Sequence, residues 1–195
     1  SNNYLGLADH PSLARAVTDA LERSGFGSCA SRHIAGSMSL HAEVEHRTAT
    51  FVQQERALFF ATGYAANLGA LQVLGGSRTL ILSDALNHAS LIDGCRLGRS
   101  HVAIYRHGDV EHCAQLLREQ RASFDLAVIV TESLFSMDGD VAPLRELRSL
   151  ANDFDAALYV DDAHAFGVYG PQGRGLCHAL GVRPDLVAAT FGKAF

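Results

Sequence analysis

Apolar positions along this chain recur at two spacings. Residues 11–23 carry Leu13, Val17 and Leu21 at helical intervals, and a loop rich in glycine and serine follows over residues 24–39. Residues 40–55 read as a charged helix. From residue 57 the text changes, and short apolar runs alternate with amphipathic stretches: strand 57–60, helix 64–74, strand 79–82, a short helix 90–97, strand 101–105, helix 110–121 and a buried strand 126–131. Pro143, whose fixed φ suits a helical first turn, opens a helix that runs to residue 152, and strands at 157–160 and 186–190 complete the series. Helices alternating with short, continuously apolar strands predict an α/β architecture, with a mainly parallel sheet covered on both faces.

In such sheets ligands bind at the carboxyl ends of the strands. The polar clusters of this chain fall there: Thr62-Gly63, residues 84–88, residues 131–136, residues 161–164 and residues 190–193.

Composition narrows the function. A chain of 195 residues with 48% hydrophobic and 19% charged side chains can bury a substantial core. A formal net charge of -5, with arginines scattered singly or in pairs, argues against nucleic acid as a partner. The longest apolar stretches are strand-sized, so neither a membrane span nor a signal peptide is expected. Cys29, Cys95, Cys113 and Cys177 stand far apart without metal-type spacing, which fits a reducing compartment, the cytoplasm. Every basic residue is arginine except Lys193. Arginine keeps its proton, whereas a lysine amine can be tuned toward neutrality and form an imine.

Thr62-Gly63-Tyr64 lies between a strand and a helix, where backbone N–H groups can receive a phosphate. Asp161-Asp162-Ala163-His164 places two carboxylates and an imidazole at one strand end. That cluster reads either as metal ligands or as a carboxylate facing a heterocyclic nitrogen, such as the pyridinium of pyridoxal phosphate. Thr190-Phe191-Gly192-Lys193 separates the two readings, because a metal site has no use for the lysine and a pyridoxal site requires it. His88, in Asn87-His88-Ala89-Ser90, begins a predicted helix at the same edge, a place suited to an aromatic ring stacked on the pyridine.

Taken together, these motifs resemble the α-oxoamine synthases, pyridoxal-phosphate enzymes of fold type I that condense an amino acid with an acyl-CoA. The resemblance runs through residues 1–7, the loop 27–36 with Ser31-Arg32, residues 61–67, 86–91 and 131–143 with Phe135-Ser136-Met137-Asp138-Gly139-Asp140, residues 161–164 and 190–193. It implies the three-layer α/β/α large domain of that fold type, spanning residues 1–195. By resemblance Lys193 holds the cofactor as a Schiff base and moves the substrate α-proton, Asp161 pairs with the pyridinium nitrogen, and His88 stacks on the ring and meets substrate. Ser136 and His164 would serve the phenolic oxygen, Gly63, Tyr64 and Thr190 the cofactor and its phosphate, Glu132 the surroundings of the ring, and Asn2 the substrate carboxylate. The nearest branch is the one in biotin synthesis that joins alanine to a pimeloyl thioester, with branches using glycine or serine as alternatives and a metal hydrolase as a more distant one. The family continues beyond the lysine into the rest of the large domain and a small carboxy-terminal domain. The chain therefore reads as a fragment, inactive alone, of a homodimeric protein.

Overall fold

A computed structural model describes residues 2–195. They fall into two bodies, one formed by the residues up to Phe59 with Gly192–Phe195, the other by Phe60–Phe191.

In the first body, α1 (Pro11–Ser24) starts where Pro11 occupies the first turn and the His10 ring accepts the Ser12 N–H. Leu13, Val17 and Leu21 form the expected stripe, yet no residue of α1 is buried. The helix α2 (Ser39–Val52) ends at Gln53, which adopts a left-handed φ of 58°. Residues 57–60, expected as a strand, pair with no strand among the described residues. Side chains have taken the place of a ladder. The Phe59 N–H donates to Glu45 Oε1 (2.8 Å), and Arg32 donates to the Phe59 carbonyl (3.3 Å) while also pairing with Glu45 (2.6 Å). The backbone around Lys193 is tied within this body, its carbonyl accepting the Tyr4 N–H (2.9 Å) and that of Ala194 the Leu5 N–H (3.2 Å).

The second body is built on five parallel strands, β1 (Thr79–Asp84), β2 (His101–Tyr105), β3 (Leu126–Glu132), β4 (Ala157–Asp161) and β5 (Leu186–Ala188), in the order β2-β1-β3-β4-β5. Successive residues enter opposite faces. Leu80, Leu82, Ala127, Ile129, Leu158 and Val160 join one apolar cluster, and Ile81, Val128, Val130 and Tyr159 join the other. The first cluster is closed by α5 (Val110–Gln120) and α6 (Leu144–Asp153), the second by α3 (Gly63–Leu74) and α4 (Ala89–Leu97). Covering both faces makes the strands continuous apolar runs, and each fully buried Leu or Ile contributes about 1.5–3 kcal/mol. Helices therefore cover both faces of the sheet, as the α/β pattern of the sequence predicts.

Two short helices complete the chain, α7 (Leu176–Ala179) and α8 (Phe191–Ala194), the latter containing Lys193. The close packing of α3 on α4 depends on Gly94. A Cβ there would lie 2.9 Å from Leu71 Cδ1 and 3.0 Å from the Asn67 carbonyl.

Candidate cofactor site at the carboxyl edge of the sheet

Asp161 ends β4 with 8% of its surface exposed, so its carboxylate must be held by hydrogen bonds. Oδ1 accepts the Ala163 N–H (3.0 Å) and Oδ2 accepts Nδ2 of Asn67 (2.7 Å). Asn67, on α3, is itself buried, and its Oδ1 accepts the Tyr159 hydroxyl (2.8 Å). Burial pushes the Tyr159 phenol far up, which keeps it a donor and fixes which way the Asn67 amide faces. The same Nδ2 donates to Ser90 Oγ (2.8 Å), and Ser90 stands 2.8 Å from Nδ1 of His88. Because the Ser90 hydroxyl oxygen accepts a hydrogen bond from Asn67 and the Ser90 backbone N–H also points at Nδ1 (3.2 Å), the hydroxyl donates onward and Nδ1 is the acceptor. A directed chain therefore joins Asp161, Asn67, Ser90 and His88.

The other expected residues of this body cluster in part. His88 caps α4, and its backbone N–H donates to Glu132 Oε1 (2.7 Å), while Glu132 stands opposite Asp161 in the β3–β4 register. The Tyr64 ring meets the His88 ring edge-on at 6.3 Å, and the Tyr64 hydroxyl donates to Asp93, a hydrogen bond that raises its pKa. Thr62 caps α3 through the Ala65 N–H, which leaves the N–H groups of Gly63 and Tyr64 as first-turn donors outside the intrahelical ladder. Gly63 and Thr190 are neighbours, since a Cβ on Gly63 would lie 3.6 Å from the Thr190 Cβ. Ser136 is exposed on the hairpin closed by the Leu134–Val141 bridge, and His164 is half-buried three residues beyond Asp161. Asn2, exposed, and Lys193, half-buried, belong to the first body.

The adjacent Asp162 serves a different purpose. Burial pushes its carboxyl up to about 6, against the lowering effect of the Ser133 hydroxyl and the Leu176 N–H that donate to it. It packs against Gly175, where φ is 95° and an added Cβ would lie 1.8 Å from Asp162 Oδ2. Gly175→Ala is expected to destabilise the protein by about 2 to 6 kcal/mol through backbone strain plus overpacking. Gly181→Ala, at φ 67° with open space around it, should cost only the backbone part. Denaturant unfolding of both variants measures the difference, and equal losses would remove the steric argument.

Asn67, Ser90, Tyr159 and Asp93 went unassigned from sequence. Asn67 and Ser90 lie inside the motifs at 61–67 and 86–91, and Tyr159 precedes Asp161 by two residues on the same strand face, a signal that period-two reading could have used.

The sequence and the fold have counterparts in known proteins. The aminotransferase class I and II family model matches residues 1–195. The chain belongs to that family. It is 50% identical over 196 residues to an 8-amino-7-oxononanoate synthase of Geotalea daltonii, a match that covers 100% of this chain and 50% of the relative. A serine palmitoyltransferase variant of S. paucimobilis, solved with a bound PLP–myriocin aldimine, superposes with a TM-score of 0.94 at 36% identity, over 100% of this chain and 50% of that one. An 8-amino-7-oxononanoate synthase from Francisella tularensis gives 0.80 at 29% identity, covering 100% and 54%. The chain spans about half the length of the curated relatives it matches. Among the described residues no helix is long and apolar enough to cross a membrane.

Proposed function

We propose that this chain is the pyridoxal-phosphate-binding part of a homodimeric, cytoplasmic 8-amino-7-oxononanoate synthase, which joins alanine to a pimeloyl thioester with loss of carbon dioxide in biotin synthesis. The observation that carries the reading is the buried Asp161 carboxylate, aligned by Asn67 at the end of β4 in a chain that superposes on a serine palmitoyltransferase solved with PLP bound. The donor set suits the group: a carboxylate for a pyridine nitrogen, first-turn N–H donors beside the Thr190 hydroxyl for a phosphate, and an imidazole ring linked by hydrogen bonds to that carboxylate. Pyridoxal phosphate, when bound, supplies an electron-withdrawing ring that stores carbanion charge at the substrate α-carbon.

The chain's own residues then divide the work. Asp161 keeps the ring nitrogen protonated; a unit charge pair at about 4 Å and an effective dielectric near 20 gains roughly 4 kcal/mol, enough to hold that proton. Asn67 and the Ala163 N–H hold Asp161 in place. The α3 amino terminus at Gly63 and Tyr64, with Thr190, receives the phosphate. His88 would stack on the ring and meet the substrate, Glu132 fixes the His88 backbone, and Ser136 and His164 would hydrogen-bond the phenolic oxygen. The Lys193 amine holds the cofactor covalently and moves the proton at the α-carbon, and Asn2 meets the substrate carboxylate. A metal hydrolase is the more distant alternative, because it would leave Lys193 without a use.

The test is a product assay on the full-length protein with pyridoxal phosphate, offering alanine, glycine and serine against pimeloyl-CoA and palmitoyl-CoA. Turnover is expected with alanine and pimeloyl-CoA, at least tenfold above any other pair. Preference for serine and palmitoyl-CoA would move the chain to the palmitoyltransferase branch that its structural likeness also favours.

A further inference from the structure

A second ionisable cluster lies at the same sheet edge, outside the residues assigned above. Nδ1 of His107 is 2.8 Å from Asp84 Oδ1, and Nε2 is 2.7 Å from Asp140 Oδ2. Where both carboxylates are ionised they can only accept, so both ring nitrogens then carry hydrogen and the ring is an imidazolium. Phe135 packs edge-on against the ring with centroids 4.5 Å apart, which fixes its plane. Asp84 is almost fully buried, whereas 28% of the His107 side chain and 43% of the Asp140 side chain are exposed.

Each carboxylate belongs to a different loop. Asp84 ends β1, and its Oδ1 also accepts the Leu86 N–H (2.9 Å) while its carbonyl accepts that of Asn87 (3.3 Å), so it shapes the turn that delivers His88. Its Oδ2 accepts the Gly108 N–H (3.0 Å), which closes the loop after β2. Asp140 sits in the hairpin held by the Leu134–Val141 bridge, where the Phe135 N–H donates to the Asp140 carbonyl (3.0 Å) and the Gly139 N–H to that of Phe135 (3.0 Å); Ser136 stands on this hairpin. We propose that His107, as an imidazolium, is a positioning residue that locks the turn bearing His88 to the hairpin bearing Ser136.

The lock is sensitive to pH. Burial alone would lower the His107 pKa, but its hydrogen bonds to Asp84 and Asp140 outweigh that and raise it above the ordinary value. A raised histidine contributes stability that is complete below its unfolded pKa, near 6.5, and is lost as pH rises through the folded pKa. On deprotonation only one ring nitrogen can donate at a time, and because the two tautomers interconvert each loop loses its contact for part of the time, so both are loosened. The other charged or titratable groups nearby are Arg106, which is paired with Asp109, His112, which accepts the Arg106 N–H, and Tyr105 and Cys113, both kept neutral by burial beside Asp84.

The inference rests on the proposed function only in naming what His88 and Ser136 are positioned for; the lock itself can be read without cofactor. Backbone hydrogen exchange on the full-length protein, together with nitrogen NMR of the His107 ring, tests it. Two ring N–H signals are expected at pH 6, and a titration above 6.5 is expected to coincide with at least tenfold faster exchange of the Leu86 and Gly139 amides, after correction for the intrinsic pH effect. His107→Gln and His107→Leu should show that faster exchange at all pH values between 6 and 9, and in both variants the pH step should vanish. A single ring N–H at pH 6, or exchange unaltered in folded variants, would overturn the lock. If neither variant folds, the wild-type titration decides alone. Failure of the product assay with this exchange pattern intact would refute the proposed function and leave the lock standing.

Discussion

Replacement of Lys193 by alanine in the full-length protein is expected to abolish the borohydride-stable cofactor adduct and to lower turnover by roughly three orders of magnitude or more, the scale seen when a nucleophile acting within a unit is lost. Lys193→Arg should fail equally. Arginine keeps a positive charge, but its guanidinium does not shed its proton to become an amine nucleophile, so the pair of variants separates charge from covalent chemistry. The Lys193 backbone carbonyl accepts the Tyr4 N–H, a bond that neither substitution removes, and circular dichroism of both variants checks that they fold. Mass spectrometry after borohydride treatment gives the result directly. A retained adduct on Lys193→Ala would assign the cofactor linkage to another amine.

Asp161→Asn should slow exchange of the substrate α-proton by on the order of 10²–10³-fold, the equivalent of the roughly 3–4 kcal/mol that a close charge pair supplies. The loss should fall on kcat more than on KM, because the interaction strengthens as carbanion charge develops. Asn67 adds a second consequence. Its Nδ2 points at the Asp161 oxygen that an asparagine would replace with a second amide donor, and it cannot turn over without abandoning the Tyr159 hydroxyl. Asp161→Asn should therefore also cost about 1–3 kcal/mol of stability, visible as a lower denaturant midpoint. Unchanged proton exchange would place the ring-nitrogen partner elsewhere.

The strands were legible because burial on both faces turns each into an unbroken apolar run, and the charged residue ending several of them marks where the run leaves the core. The stretch 57–60 looked the same and was misread. Its Phe59 backbone groups are claimed by Arg32 and Glu45, partners 27 and 14 residues away in sequence, and no local pattern reports that competition. The strand expected over 186–190 stops at Ala188, whose carbonyl takes the Asp162 N–H just where β4 itself ends. Pro143 caps α6 instead of entering its first turn, a shift of one residue that φ restriction alone does not resolve. The four-residue α7 is too short for periodicity to reveal. At the candidate site, residue types that announce chemistry, Asp161, His88 and Lys193, could be named from their places at strand and helix ends. Asn67 could not, because its importance arises only when α3, α4 and β4 meet around one amide group.

That amide has a bearing on how the protein can change over time. Asn67 gives its hydrogens to Asp161 and Ser90 and takes one from Tyr159, and the directions are mutually required. Losing the Tyr159 hydroxyl alone strands a buried oxygen, and losing Ser90 alone removes both an acceptor for Asn67 and the donor to His88. Changes at positions 67, 90 and 159 are thus expected to cost more singly than in company, which a multiple-mutant cycle across the three positions would read as strong coupling.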